Sequence, residues 1–339
     1  MNTPPLSVIL PAYNAERYIS QAIESVLGQD YGDFELIIAN DGSKDNTLER
    51  IRSFSDSRIR VIDNETNIGL IGTLNKCIAE SKGEFIARMD ADDICMPGRF
   101  TKQIDYLKQH PEIGIVSSFM SVVGQESHVY SHRFTSPDLV KAGLLFTNPL
   151  VHPAVVFRKS SIAGKELYSP TFLHAEDYGL WISLIKDVSF YVIPEALLAH
   201  RAHPEQVSVQ HYLKQKESVC VAHEQLFKYL EIHATPEERE IHFSLYLEEY
   251  PKEIDFVNRV ELWLQKLIKQ NKKVQLINNT AFCSVVGEWW FRVNQVQTSL
   301  HLSNYKIYSS SSLKNIYEPS LGSKAKMIVR SFGIGAKRN

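Results

Sequence analysis

Glu84-Phe-Ile-Ala-Arg-Met-Asp-Ala-Asp-Asp93 joins an apolar, strand-like run to three carboxylates packed within four residues. Mutual repulsion raises the pKa of at least one of them unless a cation or a basic neighbour offsets it. Asp90, Asp92 and Asp93 therefore form a candidate divalent-metal site. A solvated acidic turn is the alternative. Position favours the metal, because open α/β sheets bind ligands beyond the carboxyl ends of their strands.

Working outward, short β-branched runs at Ser7–Leu10, Phe34–Ala39, Ile59–Ile62 and Ile113–Val116 alternate with amphipathic stretches at Ile19–Leu27, Thr47–Phe54, Ile71–Ala79 and Arg99–Leu107. Near-continuous apolar strands separated by helices predict an α/β fold: a Rossmann-like, mixed or mostly parallel sheet flanked by helices. The first strand runs into Pro11-Ala-Tyr-Asn14 rather than a Gly-x-Gly-x-x-Gly turn, so this is not a dehydrogenase phosphate loop. From about Asn148, prolines 149, 153, 170, 194 and 204 interrupt short runs such as Ala154–Phe157 and Phe190–Ile193. Loops of that kind usually build sites. Beyond Ser208, apolar residues recur at three-to-four spacing, as in Val219, Ala222, Leu226, Leu230 and again Val257, Val260, Leu264, Leu267. We read a domain over 1–208, with halves at about 6–123 and 124–208, and a helical C-terminal extension over 209–339.

The 339 residues carry 44% apolar side chains and a formal charge of -2, enough for a buried core and without the basic field that nucleic acid requires. The four cysteines are scattered, with no Cys-x-x-Cys pair, so neither a zinc knot nor a disulfide framework is indicated and reducing cytosol is the default expectation. No leader-like N-terminus and no membrane-length apolar run is present, so the expectation is a cytoplasmic protein, soluble or peripheral at the inner face of a membrane.

Four motifs in order carry a family resemblance: Ser7-Val-Ile-Leu-Pro-Ala-Tyr-Asn14, Ile37-Ile-Ala-Asn-Asp-Gly-Ser43 with Asp45 and Thr47, Asn67-Ile-Gly69, and Met89-Asp-Ala-Asp-Asp93 followed by Pro97 and Arg99. The chain resembles family 2 glycosyltransferases of the GT-A fold over its N-terminal two-thirds. The resemblance implies an inverting transfer from a nucleotide-sugar donor, UDP-linked by expectation, to a glycan or lipid-linked glycan acceptor in surface polysaccharide synthesis. It further implies a Mn²⁺ or Mg²⁺ ion, held by Asp92 and Asp90 with Asp93 ligating or supporting. Hard oxygen ligands suit those ions.

On the same resemblance Pro11, Ala12, Tyr13 and Asp41 hold the base, although Tyr13 is also readable as packing and Asp41 as a turn former before Gly42. Asn67 reaches ribose or base, or caps a helix. Arg88 meets the diphosphate or neutralises Asp90. Within Ala175-Glu-Asp-Tyr-Gly-Leu-Trp181, Asp177 corresponds to the catalytic base and Glu176 to its support; acids at a helix start also stabilise the helix. In Leu197–Ser208, Arg201 is a candidate for the diphosphate and His203 for the metal, with His200 standing where the family usually has Tyr. His152 and Trp181 are candidate acceptor contacts, or core. The basic tail, with Lys324, Lys326, Arg330, Lys337 and Arg338, either touches an anionic membrane or is a solubilising end. A nucleotidyltransferase, or a silent sugar-binding protein of the same fold, are the rival readings.

Overall fold

The computed structural model describes residues 4–124, 127–202, 211–296 and 301–331. Its chain order begins β1 (Leu6–Ala12), α1 (Ile19–Leu27), β2 (Phe34–Asn40), α2 (Thr47–Arg52), β3 (Ile59–Asp63), α3 (Gly69–Glu80) and β4 (Phe85–Arg88). It continues with β5 (Ile94–Cys95), α4 (Arg99–Gln109), β6 (Ile115–Val123), β7 (His128–Tyr130), α5 (Pro137–Gly143), β8 (Val156–Arg158), α6 (Lys159–Ile162), α7 (Glu176–Leu184) and β9 (Phe190–Arg201). The sheet runs β3-β2-β1-β4-β8-β6-β9-β5, with β7 beside β6.

Strands β3, β2, β1 and β4 are parallel, as alternating β and α units require. β1 and β2 are buried at every residue, which explains their unbroken apolar character. Helix α1 covers them with Ile19, Ala22, Ile23 and Val26 on one face. Because β1 lies between β2 and β4, the chain reverses its direction of winding at β1. The carboxyl ends of β1 and β4 flank the crevice that this reversal opens.

Beyond β4 the sheet is mixed: β8 runs antiparallel to both β4 and β6, while β9 runs parallel to β6. The apolar run ending at Ile193 suggested a short strand broken by Pro194, but β9 continues to Arg201. The register steps from Ser118↔Ile193 to Phe119↔Ala196, so Pro194 and Glu195 sit in a bulge where a missing N–H leaves no ladder bond unmade. This continuation carries His200 and Arg201 to the acidic turn.

The chain divides into two compact units, 1–140 with 148–222, and 141–147 with 223–339. In the second, helices Pro236–Leu247, Ile254–Val274 and Asn279–Val296 pack around fully buried Trp263, Trp289 and Trp290. The indole of Trp263 donates to His242 Nδ1 at 3.2 Å and that of Trp289 to the Leu245 carbonyl at 3.0 Å. Thr235 and Glu238 form a reciprocal capping box at the start of the first of these helices. No helix among the described residues is long and apolar enough to cross a membrane.

Candidate active site

The loops after β1 and β2 are tied to each other by the motif residues themselves. Asn14, in a left-handed conformation (φ 48°), accepts from Lys44 N at 2.8 Å and donates its own N–H to Ser43 Oγ at 3.0 Å. Thr47 Oγ1 accepts from Ala15 N at 2.7 Å, and Asp45 accepts from Glu16 N at 3.0 Å. Much of this pattern therefore builds the crevice wall, and Pro11–Asn14 is no glycine-rich phosphate cradle of the kind a nucleotidyltransferase would need. Pro11 and Ala12 are buried at the end of β1, whereas Tyr13 is 49% exposed at the crevice; ordinary core packing of its ring does not occur.

Asp41 is buried and organises the neighbouring loop. Its carboxylate accepts from Asn64 Nδ2, Ile68 N and Gly69 N at 2.9–3.0 Å, satisfying donors at the start of α3. Asn67 Oδ1 accepts from the same Gly69 N–H at 2.9 Å. Gly42 permits this approach: it has φ +67°, and a Cβ there would lie 2.7 Å from Asn67 N.

At the end of β4 the acidic turn closes on itself and on β9. Ligand oxygens of Asp90, Asp92 and Asp93 all lie within 4.8 Å of one another. Arg88 is buried and grips Asp90 through two contacts, Nη1 to Oδ2 at 2.7 Å and Nη2 to Oδ1 at 2.5 Å. Asp93 is fully buried; one oxygen accepts from His200 Nδ1 at 2.9 Å and from Arg201 N at 3.1 Å. Its other oxygen has no hydrogen-bond partner. A buried, unsatisfied carboxylate oxygen is expensive, and a cation is the natural partner for it. Burial, with Asp92 and Asp93 adding to it, pushes Asp90 up to about 7 despite Arg88. The residues thus fit a hard divalent ion: three clustered oxygen donors, a positive field only partly compensating them, and one orphaned acceptor.

Fully buried Arg99 supports this turn from below, donating Nη2 to the Arg88 carbonyl at 2.8 Å and Nε to Gln103 at 3.0 Å. Arg201 spends its guanidinium on Gln21 and on the face of Tyr18, 5.4 Å from the ring centroid. His203 lies outside the described residues. His200 is the contact that sequence reading left without a role; its signal was a histidine at a patterned position, legible only once β9 was known to extend that far. The hydrogen bond to Asp93 raises the His200 pKa against the opposing effect of burial. We expect His200→Ala to weaken Mn²⁺ binding by about 10- to 100-fold, the usual penalty for removing a group that orients a ligand; titration of the ion would read it, and unchanged affinity would detach Asp93 from the site.

The second acidic pair opens α7, where Glu176 and Asp177 occupy its first turn. Asn148 Nδ2 donates to Asp177 Oδ2 at 2.7 Å, and Tyr178 N donates to Oδ1 at 2.7 Å. Burial raises the pKa of Asp177. It also pushes Glu176 up to about 7, with Asp177 reinforcing the shift and Arg88 opposing it. The charge of Asp90 adds to the same shift. Asn148 was not singled out by the sequence; a lone amide beside Pro149 carries no pattern.

His152 is 8% exposed and shares a 2.7 Å hydrogen bond with buried Tyr168, whose ring lies 5.4 Å away. Burial, then the nearby Arg88, holds its pKa well below the ordinary range, so the ring is neutral. Trp181, a candidate for stacking on a sugar, is 0% exposed and packs against His152, Phe157 and Phe190. With no surface to offer, it belongs to the core beneath His152.

The fold is that of GT-A-like glycosyltransferases. Solved neighbours include S. aureus TarS 1-349 in complex with UDP-GlcNAc, at TM-score 0.58 and 18% identity over 96% of this chain and 89% of that one. The mannosyltransferase PcManGT from Pyrobaculum calidifontis, in complex with GDP-Man and Mn²⁺, aligns at TM-score 0.50 and 15% identity over 97% and 86%. In sequence, residues 7–161 match Glycosyl transferase family 2. An uncharacterized glycosyltransferase of Haemophilus influenzae is 33% identical over 230 residues, 64% of this chain and 71% of the relative. The Escherichia coli enzyme WfgD, a UDP-Glc:alpha-D-GlcNAc-diphosphoundecaprenol beta-1,3-glucosyltransferase, is 32% identical over 60% of this chain and 79% of its own length. The chain belongs to glycosyl transferase family 2, and its acidic cluster is that of a metal-dependent member.

Proposed function

We propose that the protein transfers a sugar from a UDP-sugar to a hydroxyl of a glycan or lipid-linked glycan acceptor, with inversion, in the synthesis of a surface polysaccharide. The observation that carries this reading is the Asp90, Asp92 and Asp93 cluster, whose ligand oxygens lie within 4.8 Å of one another with one buried oxygen of Asp93 unpartnered. Supporting it, WfgD is a UDP-glucose enzyme acting on a diphosphoundecaprenol-linked sugar. A cytoplasmic location follows from that reading, since nucleotide-sugars are made there.

Asp92, Asp90 and the unpaired oxygen of Asp93 would hold the Mn²⁺ or Mg²⁺, which, when bound, offsets the charge of the diphosphate leaving group. Tyr13, exposed after the buried Pro11 and Ala12, would offer its ring to the base, with Asp41 and Asn67 shaping the pocket edge and the ribose side. Asp177, steadied by Asn148, takes the proton of the acceptor hydroxyl. That oxygen forms the new bond to the anomeric carbon as the bond to the donor phosphate breaks, its electron pair leaving with the nucleoside diphosphate. Glu176 keeps a second carboxyl beside the base, and His152 lines the acceptor side as a neutral ring. Arg88 stays with Asp90, and Arg201 would have to exchange Gln21 for the phosphate to serve as a further cation.

A panel of UDP-, GDP- and dTDP-sugars assayed for transfer with Mn²⁺ and with EDTA tests this reading. Transfer from a UDP-sugar, abolished by EDTA and giving an inverted anomeric centre, is expected. A product of unchanged configuration, or activity indifferent to EDTA, would reject it.

The raised Glu176 pKa also fixes a pH dependence of stability. Its folded value of about 7 stands above the ordinary 4.5, so between those values the folded chain binds more protons at this site than the unfolded chain. Stability from this group therefore falls as pH rises through that window, and the penalty, up to about 3 kcal/mol, is complete above pH 7. In the metal-free protein, Glu176→Gln should raise Tm at pH 8 by several degrees and have little effect at pH 4.5. An equal shift at both pH values would mean that Glu176 is not held neutral.

A further inference from the structure

We propose that the helix Leu321–Ser331 is a docking surface for an anionic lipid bilayer. The proposal is independent of the reaction assigned above, because it rests on a different part of the chain. Met327 and Ser331, at i and i+4, are buried and seat the helix on its own unit. On another face Leu321, Ala325, Ile328 and Val329 follow the i, i+4, i+7, i+8 spacing of one apolar stripe. All of them are exposed: Leu321 at 85%, Val329 at 44% and Ile328 at 37%. Soluble proteins scatter exposed apolar residues singly, and an aligned stripe asks for an occupant.

Charge selects the occupant. Helical geometry places Lys324 on one border of the stripe and Lys326 on the other. From Pro319 to the end of the sequence there are five cations and no acid. Lys324 reaches Glu318 at 3.5 Å, but Glu318 is 91% exposed, and so open a pair is weak and easily exchanged for another anion. An apolar stripe bordered by lysines, on a helix whose opposite face is anchored, lies in the interface of a bilayer with its lysines at the headgroups. A partner helix of a second copy would bring its own lysines against these, so charge disfavours self-association. Met327 is not part of the lipid-facing set, because it is buried.

Vesicle co-sedimentation of the full chain, without donor or acceptor, tests the proposal. Phosphatidylcholine vesicles containing phosphatidylglycerol should capture the protein at least about tenfold better than phosphatidylcholine alone, and salt near 0.5 M should erase the difference. Lys324→Gln with Lys326→Gln should weaken capture about 25-fold, roughly fivefold for each lysine. Ile328→Glu should weaken it at least about tenfold with an unchanged far-UV spectrum, since that side chain is at the surface. Equal capture by neutral and anionic vesicles, or undiminished capture of Ile328→Glu, would overturn the proposal. So would a dimer in solution that Ile328→Glu dissociates, because the stripe would then be covered by a second copy. Loss of lipid binding leaves the reading of the active site untouched, and loss of transfer leaves this one untouched.

Discussion

Asp177→Asn is expected to lower sugar transfer by about 10³ while leaving donor affinity within about threefold, because it removes the proposed proton acceptor and changes almost no volume. The wild-type carboxylate accepts from Asn148 on one oxygen and from Tyr178 N on the other. An amide has a single oxygen, so one of those donors loses its acceptor, at a cost of about 1–3 kcal/mol. Against that loss, the amide has no charged form to desolvate, and burial already disfavours the charged form of Asp177. The variant should fold with only a modest change in Tm. Single-turnover transfer and donor titration on the same preparation separate chemistry from binding. Retention of more than about a tenth of the wild-type rate would remove Asp177 from the role of base.

Asp92→Ala is expected to weaken Mn²⁺-dependent nucleotide binding by at least about 100-fold and to stop transfer, since one of three oxygen donors to a hard cation disappears. The effect on stability should have the opposite sign. Asp92 raises the pKa of Asp90 by repulsion, so its removal relieves a clustered negative charge and the metal-free variant should melt no lower than wild type. A surface carboxylate with only a structural role predicts the reverse: lost stability with intact metal response. Thermal melts with and without Mn²⁺ distinguish the two directly, because only wild type should be stabilised by the ion.

The parallel half of the sheet was legible because β1, β2 and β4 are buried at every residue and the helices between the strands keep the 3.6-residue period, so residues 6–107 speak through local pattern alone. The acidic turn was legible because Asp90, Asp92 and Asp93 fall within four residues of the chain. What could not be read was long-range. The bulge at Pro194 depends on register against β6, and without it β9 ends at Ile193 and His200 never meets Asp93. The hold of Asn148 on Asp177 spans 29 residues of irregular chain, with no periodicity to announce it. Trp181 follows an acidic pair in sequence and therefore looks site-facing, yet the turn of α7 directs it into the core. Motif residues such as Asn14, Ser43 and Thr47 were visible as a pattern, but their part in tying two loops together needed the backbone.

The carboxylates closing β4 should bind one divalent ion on which the nucleoside diphosphate depends. Electron paramagnetic resonance of Mn²⁺ titrated into the protein with UDP measures this directly. One immobilised ion per chain is expected in wild type, dependent on UDP for full affinity, with at least about a 100-fold loss of that affinity in Asp92→Ala. Equal Mn²⁺ binding by the two proteins, or UDP binding unchanged by EDTA, would contradict it.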